Sequence, residues 1–283
     1  KPDIVVGGEA RGFFIGSADG NFKLQPNFQF QFRSVTNFGD DTDDGDDSIE
    51  SGFELRRMKF GIKGNVFSKK LKYDFRWATA RSGGDLILDN GFIEYGFADD
   101  WAIKVGQWKD NVFHEETVSS SRQTAVDRSL ANEELGGGLT DYVQGVSLVY
   151  GIDAFRAEFA VHDGANTDNT DFQDGGGGFG DLDPNFGASA RAEYKLFGDW
   201  KSYDDFSAMK NKEDLLVIGA GVNYTEGGDT NVILHTIDAQ WETGPISVYG
   251  AFLGNYAETG DDDGYNWGAV AQVGYMLNEQ VEL

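Results

Sequence analysis

Two stretches of the sequence carry basic side chains at even spacing, and a third ends a polar row on one. In FELRRMKFGIKGNV (53–66) they include Arg57, Lys59 and Lys63; in KLKYDFRW (70–77) they are Lys70, Lys72 and Arg76. In NFQFQFRSV (27–35), Arg33 closes a polar row of Asn27, Gln29 and Gln31, while Phe28, Phe30 and Phe32 take the alternate positions. A row of cationic groups on one face attracts anions. A guanidinium also replaces the water around an oxyanion with a planar fork of donors, which an ammonium cannot do.

Other chemistry is poorly supplied. His114, His162 and His235 are scattered, and neither G-x-S-x-G nor H-E-x-x-H occurs, so no catalytic residue is expected. Glu115 and Glu116 adjoin in a loop, where such pairs are ordinarily solvated. With no cysteine there is neither a disulfide framework nor a thiolate metal site. DDTDDGDD (40–47) does not fit the spacing of a calcium loop, and no metal or cofactor is expected. Weak divalent bridging to lipopolysaccharide phosphates suits these acids better. No basic patch with stacking aromatics points to nucleic acid.

The elements that must position the bases are strands. Successive side chains of a strand leave opposite faces, so alternation marks two environments. Strand-like stretches run over 21–37, 50–66, 70–82, 85–98, 101–109, 140–150, 153–162, 187–197, 214–225, 230–242, 246–256 and 266–277, with no long helical pattern among them. Such a run of strands reads as an all-β sandwich or barrel. Mean hydropathy is −0.43. The longest clean apolar run, LLVIGAGV (215–222), falls far short of the roughly 18 residues of a spanning helix. A transmembrane barrel escapes that test, because its strands alternate apolar-out and polar-in.

Two features favour the barrel. Connections alternate between compact turns, such as GID (151–153) and TGP (243–245), and longer segments at 40–47, 110–139, 163–186 and 258–264. Outer-membrane barrels have that layout. Aromatics also mark the ends of the apolar stripes at Trp101, Trp241, Trp267 and Tyr275, as interfacial girdles do. The second strand breaks alternation: Phe53 and Leu55 lie on one parity, Met58, Phe60 and Ile62 on the other. Either a bulge near 55–57 repairs the register or the first two rise above the bilayer.

In the barrel, Lys23, Lys104, Arg156, Arg191 and Lys195 join the inward bases, against inward Asp74, Glu94, Glu158, Glu193 and Asp238. The net charge is −25, but much of it is in acidic loops: residues 38–50 hold seven acids and no base. A basic lumen between low-dielectric walls selects anions. The alternative is that these bases pair with acids across strands. Stretch 110–139 reads as a loop folded inward to form a constriction, because loops of that length are usually functional. Ser119, Ser120, Ser121, Arg122 and Arg128 would be its donors. Val126 and Leu130 at i, i+4 suggest a short helix, ended by GGG (136–138).

These segments, with DNGFIEYGF (89–97), IKVGQWKDNVFHEE (103–116), SSSRQTAVDRSLANE (119–133) and VAQVGYML (270–277), resemble the phosphate-selective porin O and P family over nearly the whole chain. The resemblance implies a trimeric, sixteen-stranded outer-membrane porin of the bacterial cell, passing phosphate-like anions. It maps constriction bases onto Arg33, the Arg56–Arg57 pair and Arg122, a lumenal lysine onto Lys109 and an acid onto Asp89. Later strands offer fewer bases than the family pattern, with Arg191 in 187–197 and none in 214–242.

The expectation is therefore an antiparallel transmembrane β-barrel over 21–283, preceded by a periplasmic segment 1–20, in contact with outer-membrane lipid and lipopolysaccharide. The start KPDIVVGGEA reads as a mature sequence. VEL (281–283) reads as the beginning of a thirteenth strand, so further C-terminal strands are expected. A weakly selective general or sugar porin, and a barrel serving as anchor in a surface assembly, are the alternative functions.

Overall fold

The computed structural model describes residues 3–9, 12–40, 47–80, 83–137, 142–165, 184–208, 213–260 and 262–283. The chain divides into two compact units, residues 1–91 and 92–283. No helix among the described residues is long and apolar enough to cross a membrane, which says nothing of strands. Among the described residues, fifteen strands follow one another in chain order within the sheet.

The first unit contains β1 (Ile4–Glu9), β2 (Gly12–Ser17), β3 (Lys23–Asp40), β4 (Asp47–Asn65), β5 (Leu71–Thr79) and the start of β6 (Leu86–Gly96). The second continues from β6 with β7 (Trp101–Lys109), β8 (Tyr142–Gly151), β9 (Phe155–His162) and β10 (Pro184–Phe197). It ends with β11 (Leu215–Gly227), β12 (Thr230–Thr243), β13 (Ile246–Thr259), β14 (Asp262–Asn278) and the short β15 (Val281–Glu282). The twelve expected strands are β3–β14, and VEL contributes β15.

Segment 1–20 contains strands that the reading of the sequence did not single out. It holds the β1–β2 hairpin, paired antiparallel from Ile4↔Ser17 to Glu9↔Gly12. Gly7 and Gly8 carry no side chain, which erased the alternation that marks a strand. The acidic tip 258–264 also differs: β13 and β14 pair as far as Thr259↔Asp262, and Gly260 turns the chain at φ +60. It is a tight hairpin rather than a long loop. Most of DDTDDGDD and of the Gly-Asp tract 163–186 lies outside the described residues.

The phenylalanine stripe of β3 faces outward. Phe28 is 69% exposed, and Phe30 and Phe32 are nearly as open, whereas Gln29, Gln31 and Arg33 between them are half-buried. Core burial would have sealed those rings. Exposed Phe159, Tyr194, Ile237, Trp267 and Val273 repeat the pattern in the second unit. Their inward neighbours include buried Arg191 and Asp238. On β4 the partner register steps from Gln31↔Arg57 to Phe32↔Leu55, leaving Arg56 without an opposite residue. That irregularity returns Phe53 and Leu55 to the outward side, where both are exposed.

The second unit's main core lies on the inward side of its strands. Val112, Phe113, Val118 and Leu135 from stretch 110–137 pack with Phe206, Val232, Leu234, Tyr249 and Leu253. Each such side chain contributes about 1.5–3 kcal/mol on full burial. The loop therefore docks on the wall through an apolar core, and polar residues key its position.

Candidate functional site

The first unit presents a basic face. The ladder sets Gln25 opposite Lys63, Gln29 opposite Lys59, Gln31 opposite Arg57 and Arg33 opposite Glu54. Across β4–β5, Lys63 faces Asp74, Gly61 faces Arg76 and Asn65 faces Lys72. All these bases share the side opposite the exposed phenylalanines. Several hold acids: Arg33 donates to Glu54 at 2.6 Å, and Lys59 to Asp89 at 2.5 Å. Arg57 donates to Gln31 Oε1 at 2.7 Å. Arg76 lies 3.6 Å from Asp74, and its Nε is buried with no acceptor among the described residues. Arg56 occupies the bulge. Lys72 is exposed.

The bases of the second unit are placed differently. Lys104 is buried, bonded to Glu158, and sits over the Trp108 ring. Arg156 stacks on Trp200 at 4.0 Å. Arg122 donates to the Asp204 carbonyl, and Arg128 to the carbonyls of Glu115 and Glu116. Lys109 donates to Glu116 at 2.6 Å. These last three groups hold loop and turn backbone or carboxylates.

Arg191 is the most fully bonded of these bases. Only 3% exposed, it spends all five N–H donors on protein. Its Nε donates to Glu193, one Nη to Val112 O and Asp238 Oδ2, and the other to Tyr203 Oη and Asp238 Oδ1, all at 2.7–2.9 Å. Gly219 and Gly221 on the inward parity of β11 make room. A Cβ at Gly219 would overlap the guanidinium, and one at Gly221 would overlap Val112 O.

Stretch 110–137 joins the wall at further points. Asp110, fully buried, accepts from Ser189 and Asn223, each at 2.7 Å. His114 bonds Gln240 at 2.9 Å and stacks on Tyr203 with ring centroids 3.9 Å apart. Burial, then the positive charge of Arg191, pushes the His114 pKa down. Glu115 accepts from the Ser129 backbone and hydroxyl and from Gln272. Burial raises its pKa. For Glu116 burial also pulls upward, but Lys109, Arg128 and the Asn132 bond outweigh it and leave the pKa lowered.

Sequence reasoning missed this cluster. Glu115 and Glu116, expected in solvent, are 1% and 2% exposed. Their counter-charges come from the same loop and from the end of β7, a short reach along the chain that a generic rule about loop acids overlooks. Val112 and Phe113, two large apolar residues in a supposed loop, were the available signal. The helix expected around Val126 and Leu130 is displaced: the helical turns are α1 (His114–Thr117) and α2 (Leu130–Asn132), the latter running into a π-helical turn at Glu133–Gly137. Ser129 explains the start of α2, because its extended backbone and hydroxyl cap Asn132 N. Tyr203 and Phe206 also come inward, from the connection holding α3 (Trp200–Tyr203), and both are buried.

The anion-selective porin from Comamonas acidovorans superposes with a TM-score of 0.58 at 12% identity, over 90% of this chain and 75% of that one. An uncharacterised protein of Aquifex aeolicus (strain VF5) is 26% identical over 236 residues, 74% of this chain. The chain spans 56% of that relative's length. The family model for phosphate-selective porin O and P matches residues 22–256. The superposition gives the porin fold, and the family match supports a bacterial outer-membrane location. This chain belongs to the phosphate-selective porin O and P family.

Proposed function

We propose that this protein is an outer-membrane porin whose strands close into a barrel and pass small anions, phosphate-like ones among them, along the basic face of β3–β5. The observation that carries this reading is the register that places Lys63, Lys59, Arg57, Arg33, Lys72 and Arg76 on one side, opposite a stripe of exposed aromatic rings. Part-exposed Arg57, Lys63 and Arg76 then form successive moderate sites, which attract an anion without trapping it. The likeness in fold to a porin that is itself anion-selective agrees with this. Loop 110–139 serves as the constriction loop, Lys104, Arg156 and Arg191 serve the structure, and Lys109, Arg122 and Arg128 hold the loop. Assembly as a homotrimer, implied by the family resemblance, and contact with lipid and lipopolysaccharide complete the reading.

One observation favours a second reading, a weakly selective porin. Arg33, Lys59 and Lys104 already hold acids, so their charges are largely cancelled at a distance. Substitution separates the two. A unit charge roughly 6 Å from a passing ion in water contributes about 0.7 kcal/mol, or about threefold in relative permeability. Arg57→Gln and Arg76→Gln should each lower the anion-to-cation permeability ratio by about that factor. The charge-neutral pair Lys104→Gln with Glu158→Gln should leave it unchanged. Ratios indifferent to Arg57 and Arg76 favour the second reading.

A further inference from the structure

We infer that Arg191 is a positioning residue that clamps three separate elements, the wall, loop 110–137 and the turn carrying α3, into one arrangement. It binds Glu193 on β10 and Asp238 on β12, the Val112 carbonyl of the loop, and the Tyr203 hydroxyl of the turn. Tyr203 in turn reaches Asp238 Oδ1 at 3.4 Å and presents its ring to His114 of the loop. Loop and turn also touch directly, Phe206 N donating to Arg122 O and Arg122 Nη1 to Asp204 O. Gln240 closes the circuit, holding His114 on one side and the Asp205 carbonyl on the other.

The geometry demands arginine. The five donors diverge in a plane fixed by the guanidinium, and three of them must reach groups on different elements at once. Lysine has three donors on a single nitrogen and cannot reach the groups that Nε and the two Nη atoms meet from separate positions. With Asp238 2% exposed, loss of the cation leaves a buried carboxylate without its partner. Loop and turn should therefore loosen together, although they lie about 90 residues apart in the chain and leave different strand ends.

The inference rests on the channel reading only for what the positioned loop does, and its test does not need transport. Amide hydrogen exchange of the folded protein in detergent reads peptides 110–118 and 200–208 separately from the strands. Arg191→Gln should speed exchange in both peptides by about 100-fold, and Arg191→Lys by at least about tenfold, with strand protection kept. Tyr203→Phe, which removes one hydroxyl and keeps the ring stack, should loosen 200–208 by a few fold and leave 110–118 alone. Arg191→Lys carries the test if Arg191→Gln does not fold. Protection within about threefold of wild type in both peptides, or loss in only one of them with Arg191→Lys, overturns the clamp. Wild-type protein that forms no channels in bilayers overturns the reading of function, while the exchange result still decides the clamp.

Discussion

Glu116 offers a perturbation whose size can be worked from the structure. Its carboxylate accepts from Lys109 at 2.6 Å and from Asn132 at 2.8 Å, with Arg128 Nε at 3.4 Å. Glu116→Gln keeps the shape and removes the charge, so two cations lose their counter-ion. Breaking a buried pair costs about 3–5 kcal/mol. Two facts reduce that. The Lys109 side chain is 21% exposed and can rehydrate, and Arg128 keeps its bonds to the carbonyls of Glu115 and Glu116. The loop should be destabilised locally by about 2–3 kcal/mol, which raises its open population by about 30- to 150-fold. Limited trypsin digestion of the folded protein reports that population, because cleavage after Arg122 and Arg128 requires local opening. The expected result is cleavage at those two sites faster by that factor, with β3–β14 intact. A rate within twofold of wild type would refute the account of how the loop is held.

Acidification should act through three loop groups. His114 has a lowered pKa in the folded state, so its contribution to loop docking is complete above about 6.5 and is lost as pH falls below that value; the protection of 110–118 relative to the intrinsic exchange rate should fall as pH drops below about 6.5, and His114→Phe should abolish that slope. Glu116, with a lowered pKa, stabilises docking above about 4.5 and loses that effect as pH falls further, whereas Glu115, with a raised pKa, stabilises it below about 4.5 and loses the effect as pH rises; Glu115→Gln should therefore make docking less sensitive to rising pH in the same exchange assay. On the outward face, Phe30→Lys should lower the stability of the folded protein in lipid by about 2–4 kcal/mol, measured by urea titration, while Gln29→Lys on the opposite face should cost far less.

Much of the fold was legible because one face of each strand differs from the other. Phe28, Phe30 and Phe32 announced both a strand and its outward side, and Arg191, Glu193 and Asp238 announced the inward one. The break in β4 was visible as a change of parity, and the skipped residue proved to be Arg56. What escaped was whatever depends on distant parts of the chain meeting. Nothing local says that Gly219 and Gly221 clear space for a guanidinium and a loop carbonyl. Nor does Arg191 reveal in sequence that its donors are spent, since Asp238 and Val112 are 47 and 79 positions away. The β1–β2 hairpin was hidden by glycines that carry no face at all. A tally of inward bases was therefore a good guide to which side chains share a face and a poor one to which remain available for an ion.

The most direct measurement is the reversal potential of the wild-type protein in a planar bilayer under a KCl gradient. With the basic face of β3–β5 lining the passage, its sign should report chloride as the more permeant ion, and inorganic phosphate added to the bath should reduce the chloride current. A potential of the opposite sign, with potassium more permeant, would contradict the account.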